Sequence, residues 1–232
     1  MAANAIQEIE DIHSRTFGRG ARTIGVTGPA PKSGASTVAK SLATRCALSG
    51  KTTLLMDMSR GPDDVRDGDD NTGWHPGEAG MGQKIHKAKS GYDVLPVTPG
   101  GNTKFLFRDA KHLQQMLAED LNRYDQVVVD LSPVPDEGRS SVPASIGAAA
   151  CDAVILVCRT YAVTQAAVED AVKNLADNEA KIAGLVMNDQ NAPTIAEELL
   201  REMNRIRWFL PKGVRDFVEK KVRDVEILNK KL

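Results

Sequence analysis

Apolar residues along this chain follow two rhythms. Short, nearly continuous runs rich in Val, Ile and Leu recur: TIGVTG at 23–28, TTLLMD at 52–57, QVVVDL at 126–131 and AVILVC at 153–158. Runs of that length without polar alternation mark strands buried on both faces. A fifth run, IAGLVMND, occupies 182–189. Between the runs, apolar positions fall three and four residues apart at 36–49, 109–122 and 164–178, the spacing of helices with one buried face. In the last of these, Ala166, Val168, Ala171, Val172 and Leu175 are predicted to share that face. Strands alternating with helices predict an α/β fold, a mostly parallel sheet with helices on both faces.

Two segments break the rhythm. Residues 60–82 are dense in Gly, Asp and Pro and read as a long loop whose only bulky anchors are Trp74 and His75. From Arg201 to Leu232 there are ten Lys or Arg against five Asp or Glu, with Val214, Phe217, Val218, Val222 and Val225 at helical spacing. Either that tail packs on the sheet with its charges in water, or it docks on a partner or an anionic lipid surface. The expected organisation is a helical segment at 1–20, the α/β domain at 21–200 and the basic amphipathic tail at 201–232.

Whole-chain numbers narrow the function classes. A chain of 232 residues with 41% apolar side chains suffices for one domain with a sizeable core. Its formal charge of -1 provides no global field for nucleic acid, so none is expected as a partner. The opening MAANAIQEIE lacks the order of a signal peptide, and no apolar run approaches the length of a membrane span. Cys46, Cys151 and Cys158 are too few and too scattered for a disulfide framework or a zinc site. The latter two bracket DAVILV and read as small apolar residues of a buried strand.

The candidate chemistry sits in TGPAPKSGASTVAKSLA, Thr27 to Ala43. A strand leads through a glycine-containing turn into a helix, which aims backbone N–H groups and a helix N-terminus at one point, the physical basis of phosphate binding. Ser36 stands where the hydroxyl of such loops holds Mg²⁺. A strict G-x-x-x-x-G-K-[ST] match fails at Ala35. Two aspartates end apolar runs, Asp57 and Asp130, where metal-binding and water-orienting groups of this fold lie. As alternatives, either is a strand-end cap or turn residue.

These motifs resemble those of the bacterial tyrosine kinases (BY-kinases) among the Min and Par type P-loop ATPases, which assist export of capsular and other exopolysaccharides. TGPAPKSGAST lays without a gap over that family's T-S-P-x-P-G-E-G-K-S-T. LLMDMSRGP (54–62) resembles L-L-I-D-x-D-x-R-x-P, and YDQVVVDLSP (124–133) resembles Y-D-x-V-I-I-D-x-P-P. YDVLPVTPGGN (92–102) and GLVMN (184–188) extend the likeness over about residues 5–190. The resemblance implies a nucleotide site built from Pro31, Lys32, Ser33, Gly34, Ala35, Ser36, Thr37 and Asn188, the last against adenine. It also implies Mg²⁺ on Ser36, Asp57 and Asp130, with the two aspartates as the catalytic candidates.

Departures from the family pattern are informative. Ala35 replaces the lysine that reaches the β and γ phosphates, Ser59 replaces the second acid of D-x-D, and Lys32 replaces a loop glycine. The tail lacks the family's tyrosine cluster: Tyr92, Tyr124 and Tyr161 are the only tyrosines. Of the E-x-x-R-x-x-R assembly signature, Arg15 in IHSRT is what survives. Losing one charge-assisted hydrogen bond weakens triphosphate binding roughly ten- to a hundredfold. The same loss costs on the order of 10²- to 10³-fold in rate where transfer depends on electrostatic stabilisation. Lys32, on a flexible stem, either returns a charge to the phosphates or is a solvated loop lysine. Lys40 lies a helical turn beyond Ser36 and is expected to be too distant.

The resemblance therefore implies a kinase-deficient regulator that binds ATP or ADP with Mg²⁺ weakly. It would act on a membrane polysaccharide copolymerase of a capsule or holdfast system, from the cytoplasm or peripherally at the inner membrane, with a homo-oligomer as a further expected assembly. Two alternatives stay open: a slow ATPase or tyrosine autokinase using Lys32, Asp57 and Asp130, and a Min/Par-like positioning scaffold. Scaffolds of that kind usually carry a receiver-like domain ahead of the P-loop domain, for which a first strand near residue 23 leaves no room.

Overall fold

The structure, a computed structural model, describes residues 3–59, 84–97, 107–134 and 142–189. The expectations for the loop at 60–82, with Trp74 and His75, and for the tail at 201–232 lie outside the described residues. Two compact units are distinguished, Met1–Cys158 with Val163–Asn188, and Arg159–Ala162 with Asp189–Leu232. In the second, the described residues form a turn closed by the Ala162 N–H on the Arg159 carbonyl, with Tyr161 at φ 61°.

The first unit runs α1 (Ala3–Arg15), a 3-10 turn (Phe17–Arg19), β1 (Thr23–Thr27), α2 (Ala35–Leu48), β2 (Thr53–Met58), β3 (His86–Lys87) and β4 (Asp93–Pro96). It continues with α3 (Ala110–Ala118), β5 (Gln126–Leu131), α4 (Ala144–Ala149), β6 (Ala153–Arg159), α5 (Gln165–Asp177) and β7 (Ile182–Asn188). Among the described residues the seven strands form one sheet in the order β3-β4-β2-β5-β1-β6-β7. β1 pairs in parallel with β5 and β6, and β2 with β4 and β5, while β3 runs antiparallel to β4. The mostly parallel α/β sheet expected from the alternation of runs is what forms.

The continuous apolar runs resolve into two faces because successive strand side chains point to opposite sides. Ile24 and Val26 of β1, Leu55, Val128, and Ile155 and Val157 of β6 join Ala39, Leu42, Ala43 and Cys46 of α2 in one cluster. The alternate residues, Leu54, Met56, Val127, Val129, Val154 and Leu156, pack with Leu113, Met116 and Leu117 of α3 and Ala171 and Leu175 of α5 on the other face. α1 lies against α2, where Glu10 and Arg45 form an ion pair. All three cysteines are buried, and burial pushes the thiols of Cys46 and Cys151 up to about 12, in keeping with a packing role.

Two expectations are corrected. On α5, Ala171 and Leu175 are buried and Val168 is half-buried, but Ala166 and Val172 are exposed. Ala166 precedes Val168 by two residues, about 200° around the helix, and so faces away. The helix predicted over 109–122 ends at Ala118, because the chain there turns so that the Leu121 N–H bonds the Met116 carbonyl. The fifth run becomes the edge strand β7, with Leu185 and Met187 exposed.

Candidate nucleotide site

The parallel pairing brings the C-terminal ends of β1, β2 and β5 side by side. Asp57 and Asp130 are register partners across β2 and β5, and Val26 of β1 is the partner of Asp130 on the other side. The loop from Gly28 to Gly34 leaves β1 at this edge and enters α2. It is tied to the segment after β5: Thr27 Oγ1 donates to the Ser132 carbonyl at 2.6 Å, and the Val134 N–H donates to the Gly28 carbonyl at 2.8 Å. At Gly28 the loop folds back so closely that an added Cβ would sit 2.1 Å from Ser33 Oγ and 2.7 Å from the Val157 carbonyl oxygen.

Gly34 caps α2 with φ 98° and without a side-chain hydrogen bond. By contrast, Asp109 caps α3 by accepting from the Lys111 and His112 N–H groups, and Thr164 caps α5 by accepting from the Ala167 N–H. At α2 the first N–H, that of Ala35, instead donates to Ser33 Oγ at 3.4 Å, and the positive end of the helix carries no capping carboxylate. Pro31 and Lys32 are exposed on the loop, Ser33 is buried, Ser36 is half-buried and Thr37 is exposed. Ala35 is only 9% exposed and packs in the core cluster with Ala39 and Leu42. Lys32 adopts φ 62°, left-handed backbone that costs a residue with a Cβ about 1 to 2 kcal/mol.

Asp130 is 1% exposed, and its Oδ1 has no hydrogen-bond partner among the described residues. Burial raises its carboxyl to about 7, with the Asp57 charge adding to the rise and the Ser36 hydroxyl, Lys40 ammonium and Ser59 hydroxyl opposing it. Ser36, Asp57 and Asp130 are therefore brought together. Lys40, expected to be too distant, acts on Asp130, because helical side chains lean toward the N-terminus of their helix. Ser59 has a role that its sequence position did not reveal: its N–H and hydroxyl donate to Asp57 Oδ1 at 3.2 and 2.7 Å and fix that carboxylate.

Asn188, at the far end of β7, closes the site. Its Nδ2 donates to the Ser33 carbonyl at 2.9 Å and lies 2.2 Å from where a Cβ on Gly34 would be. Glycine at 34 is required twice over, by its backbone angle and by this side chain. No motif signals the latch, since it joins the first phosphate-loop turn to the last strand.

The residues fit a Mg²⁺-bound nucleotide. A buried carboxylate oxygen without a partner needs a cation or a donor, and it lies beside the start of α2, whose N-cap Gly34 offers no side chain. Among the described residues no three His, Cys, Asp or Glu gather as a metal cage. One hydroxyl and one or two carboxylates, completed by phosphate oxygens, is the donor set that suits Mg²⁺.

Comparison with known proteins finds likeness in sequence and in fold. No family model matches the sequence. The chain is similar to the tyrosine-protein kinase CpsD of Streptococcus agalactiae, 26% identical over 186 residues that cover 75% of this chain and 78% of that protein. Its fold is similar to the kinase domain of Escherichia coli tyrosine kinase ETK, with TM-score 0.65, 22% identity and coverage of 82% and 78% of the two chains. It is also similar to cobyrinic acid a,c-diamide synthase from Mycobacterium smegmatis with bound ADP and magnesium, with TM-score 0.52, 18% identity and 72% of each chain covered.

Proposed function

From the premise that the chain is a BY-kinase-like member of the P-loop ATPases, we propose that it binds a nucleoside triphosphate with Mg²⁺ and uses occupancy to regulate a partner, with little phosphoryl transfer. The observation that carries this reading is the buried, unpartnered Oδ1 of Asp130 beside the Ser36 hydroxyl at the uncapped start of α2. Backbone N–H groups from Ser33 to Thr37 hold the phosphates, Ser36 and Asp130 hold the metal with Asp57 behind them, and Asn188 stands at the base side. Bound Mg²⁺ supplies charge neutralisation to the outer phosphates.

Supporting the weak chemistry, Ala35 is turned to packing, and of the three tyrosines Tyr92 and Tyr124 are buried, which leaves Tyr161, 60% exposed, as the one accessible phosphoryl acceptor among them. The family resemblance supports a role in exopolysaccharide biosynthesis of capsule or holdfast type, at the cytoplasmic side of a membrane copolymerase. No described helix is long and apolar enough to cross a membrane. Nucleotide occupancy shifts the partner's affinity only by its differential binding to two conformers.

Thermal shift and direct titration with ATP and Mg²⁺ test the binding step. A saturable rise in unfolding temperature is expected, lost on chelation, and no response at millimolar ATP removes the nucleotide reading. In cells, Asp57→Ala combined with Asp130→Ala is expected to lower polysaccharide output. Normal output from that double variant leaves only a scaffold.

A further inference from the structure

Two residues of the phosphate loop occupy the left-handed region, Lys32 at φ 62° and Gly34 at φ 98°. Glycine adopts that backbone without steric conflict, whereas a lysine does so against its own Cβ. Among the described residues nothing holds the Lys32 side chain in exchange: it is exposed, and its ammonium makes no hydrogen bond or ion pair there. A strained residue at a binding loop, with a charged side chain aimed at no protein group, points to a ligand as the group it serves.

Charge in the loop leads to the same residue. From Thr27 to Lys40 the chain has two cations, Lys32 and Lys40. Lys40 acts on the Asp130 carboxylate, and Ala35 is packed among core residues. A triphosphate facing Asp57 and Asp130 adds further negative charge to a site already rich in it. An ammonium on a flexible stem needs no fixed fork geometry to meet phosphate oxygens.

We propose that Lys32 is the cation that contacts the outer phosphates of the bound nucleoside triphosphate, taking over from the loop tip the charge absent at position 35. This rests on the nucleotide reading above. The loop has exchanged one glycine for a lysine and one lysine for an alanine, moving the charge three residues toward β1.

Lys32→Gly is the deciding variant, since glycine is at ease at this backbone angle and the fold is not put at risk. It is expected to unfold at a higher temperature than the wild type without nucleotide, yet to bind Mg²⁺-ATP about tenfold more weakly, with a smaller loss for Mg²⁺-ADP. Lys32→Ala, which keeps the strain, is expected to show the same loss of affinity without the thermal gain. If the glycine variant gains stability and binds Mg²⁺-ATP as tightly as the wild type, Lys32 is merely tolerated and the proposal fails. It fails equally if Lys40→Ala costs more affinity than Lys32→Gly. A wild-type protein that binds no Mg²⁺-ATP overturns the nucleotide reading together with this one, whereas an unaffected glycine variant overturns this one alone.

Discussion

Asp130 links ligand chemistry to folding through one carboxyl group. Its folded value of about 7, against an ordinary 3.8, means that the native protein keeps a proton that the unfolded chain has released between those values. The sign follows: the group stabilises the native state least above pH 7, and its penalty disappears as the pH falls toward 4. The full penalty is on the order of 4 kcal/mol. Asp130→Asn should therefore unfold at a higher temperature than the wild type at pH 8 in chelator, with the gap narrowing steadily toward pH 5. A constant gap across that range would contradict the burial of an uncompensated carboxylate. Ala35→Lys restores the family's charge beside the same group. It should tighten Mg²⁺-ATP about ten- to a hundredfold by titration, less whatever is lost by displacing the buried methyl.

At the level of elements, the site depends on how strands are seated. Arg22, just before β1, donates to the carbonyls of Leu117, Leu121 and Tyr124 at 2.7, 2.6 and 3.1 Å, tying β1 to the end of α3 and the turn before β5. Asp152 secures the same strand by accepting from the Arg22 and Thr23 N–H groups. Since β1 launches the phosphate loop and β5 ends in the site aspartate, this junction sets their relative register. Arg22→Ala should lower stability by about 2 to 3 kcal/mol, through lost charge-assisted bonds and carbonyls left without donors. The urea midpoint should fall at unchanged slope. Thr164→Ala removes the α5 cap and should cost about 1 kcal/mol by the same measurement, without changing nucleotide affinity.

For the whole molecule, a ligand that binds only the folded state stabilises it by mass action, about 2.7 kcal/mol at a hundred times its dissociation constant. Mg²⁺-ATP should accordingly raise the unfolding temperature in proportion to the logarithm of its concentration, and chelator should abolish most of the effect. The sequence by itself determined the central strands: β1, β2, β5 and β6 appear within a residue or so of the apolar runs, because burial on both faces leaves no polar position to blur them. It also marked the turn between β1 and α2 and the aspartates at the ends of β2 and β5 as the candidate site, since phosphate and metal chemistry calls for particular residue types at particular strand ends. It did not determine β4, whose DVLP is short and ends in proline, or α4, whose ASIGAA is too brief for a helical repeat. Only the tertiary structure decided that Asp57 and Asp130 stand in register, that Ser59 braces the first, that Asn188 latches the loop and that Lys32 is strained. The physical reason is that these are relations between strands distant in sequence, or backbone angles imposed by loop closure. Neither is written in local periodicity.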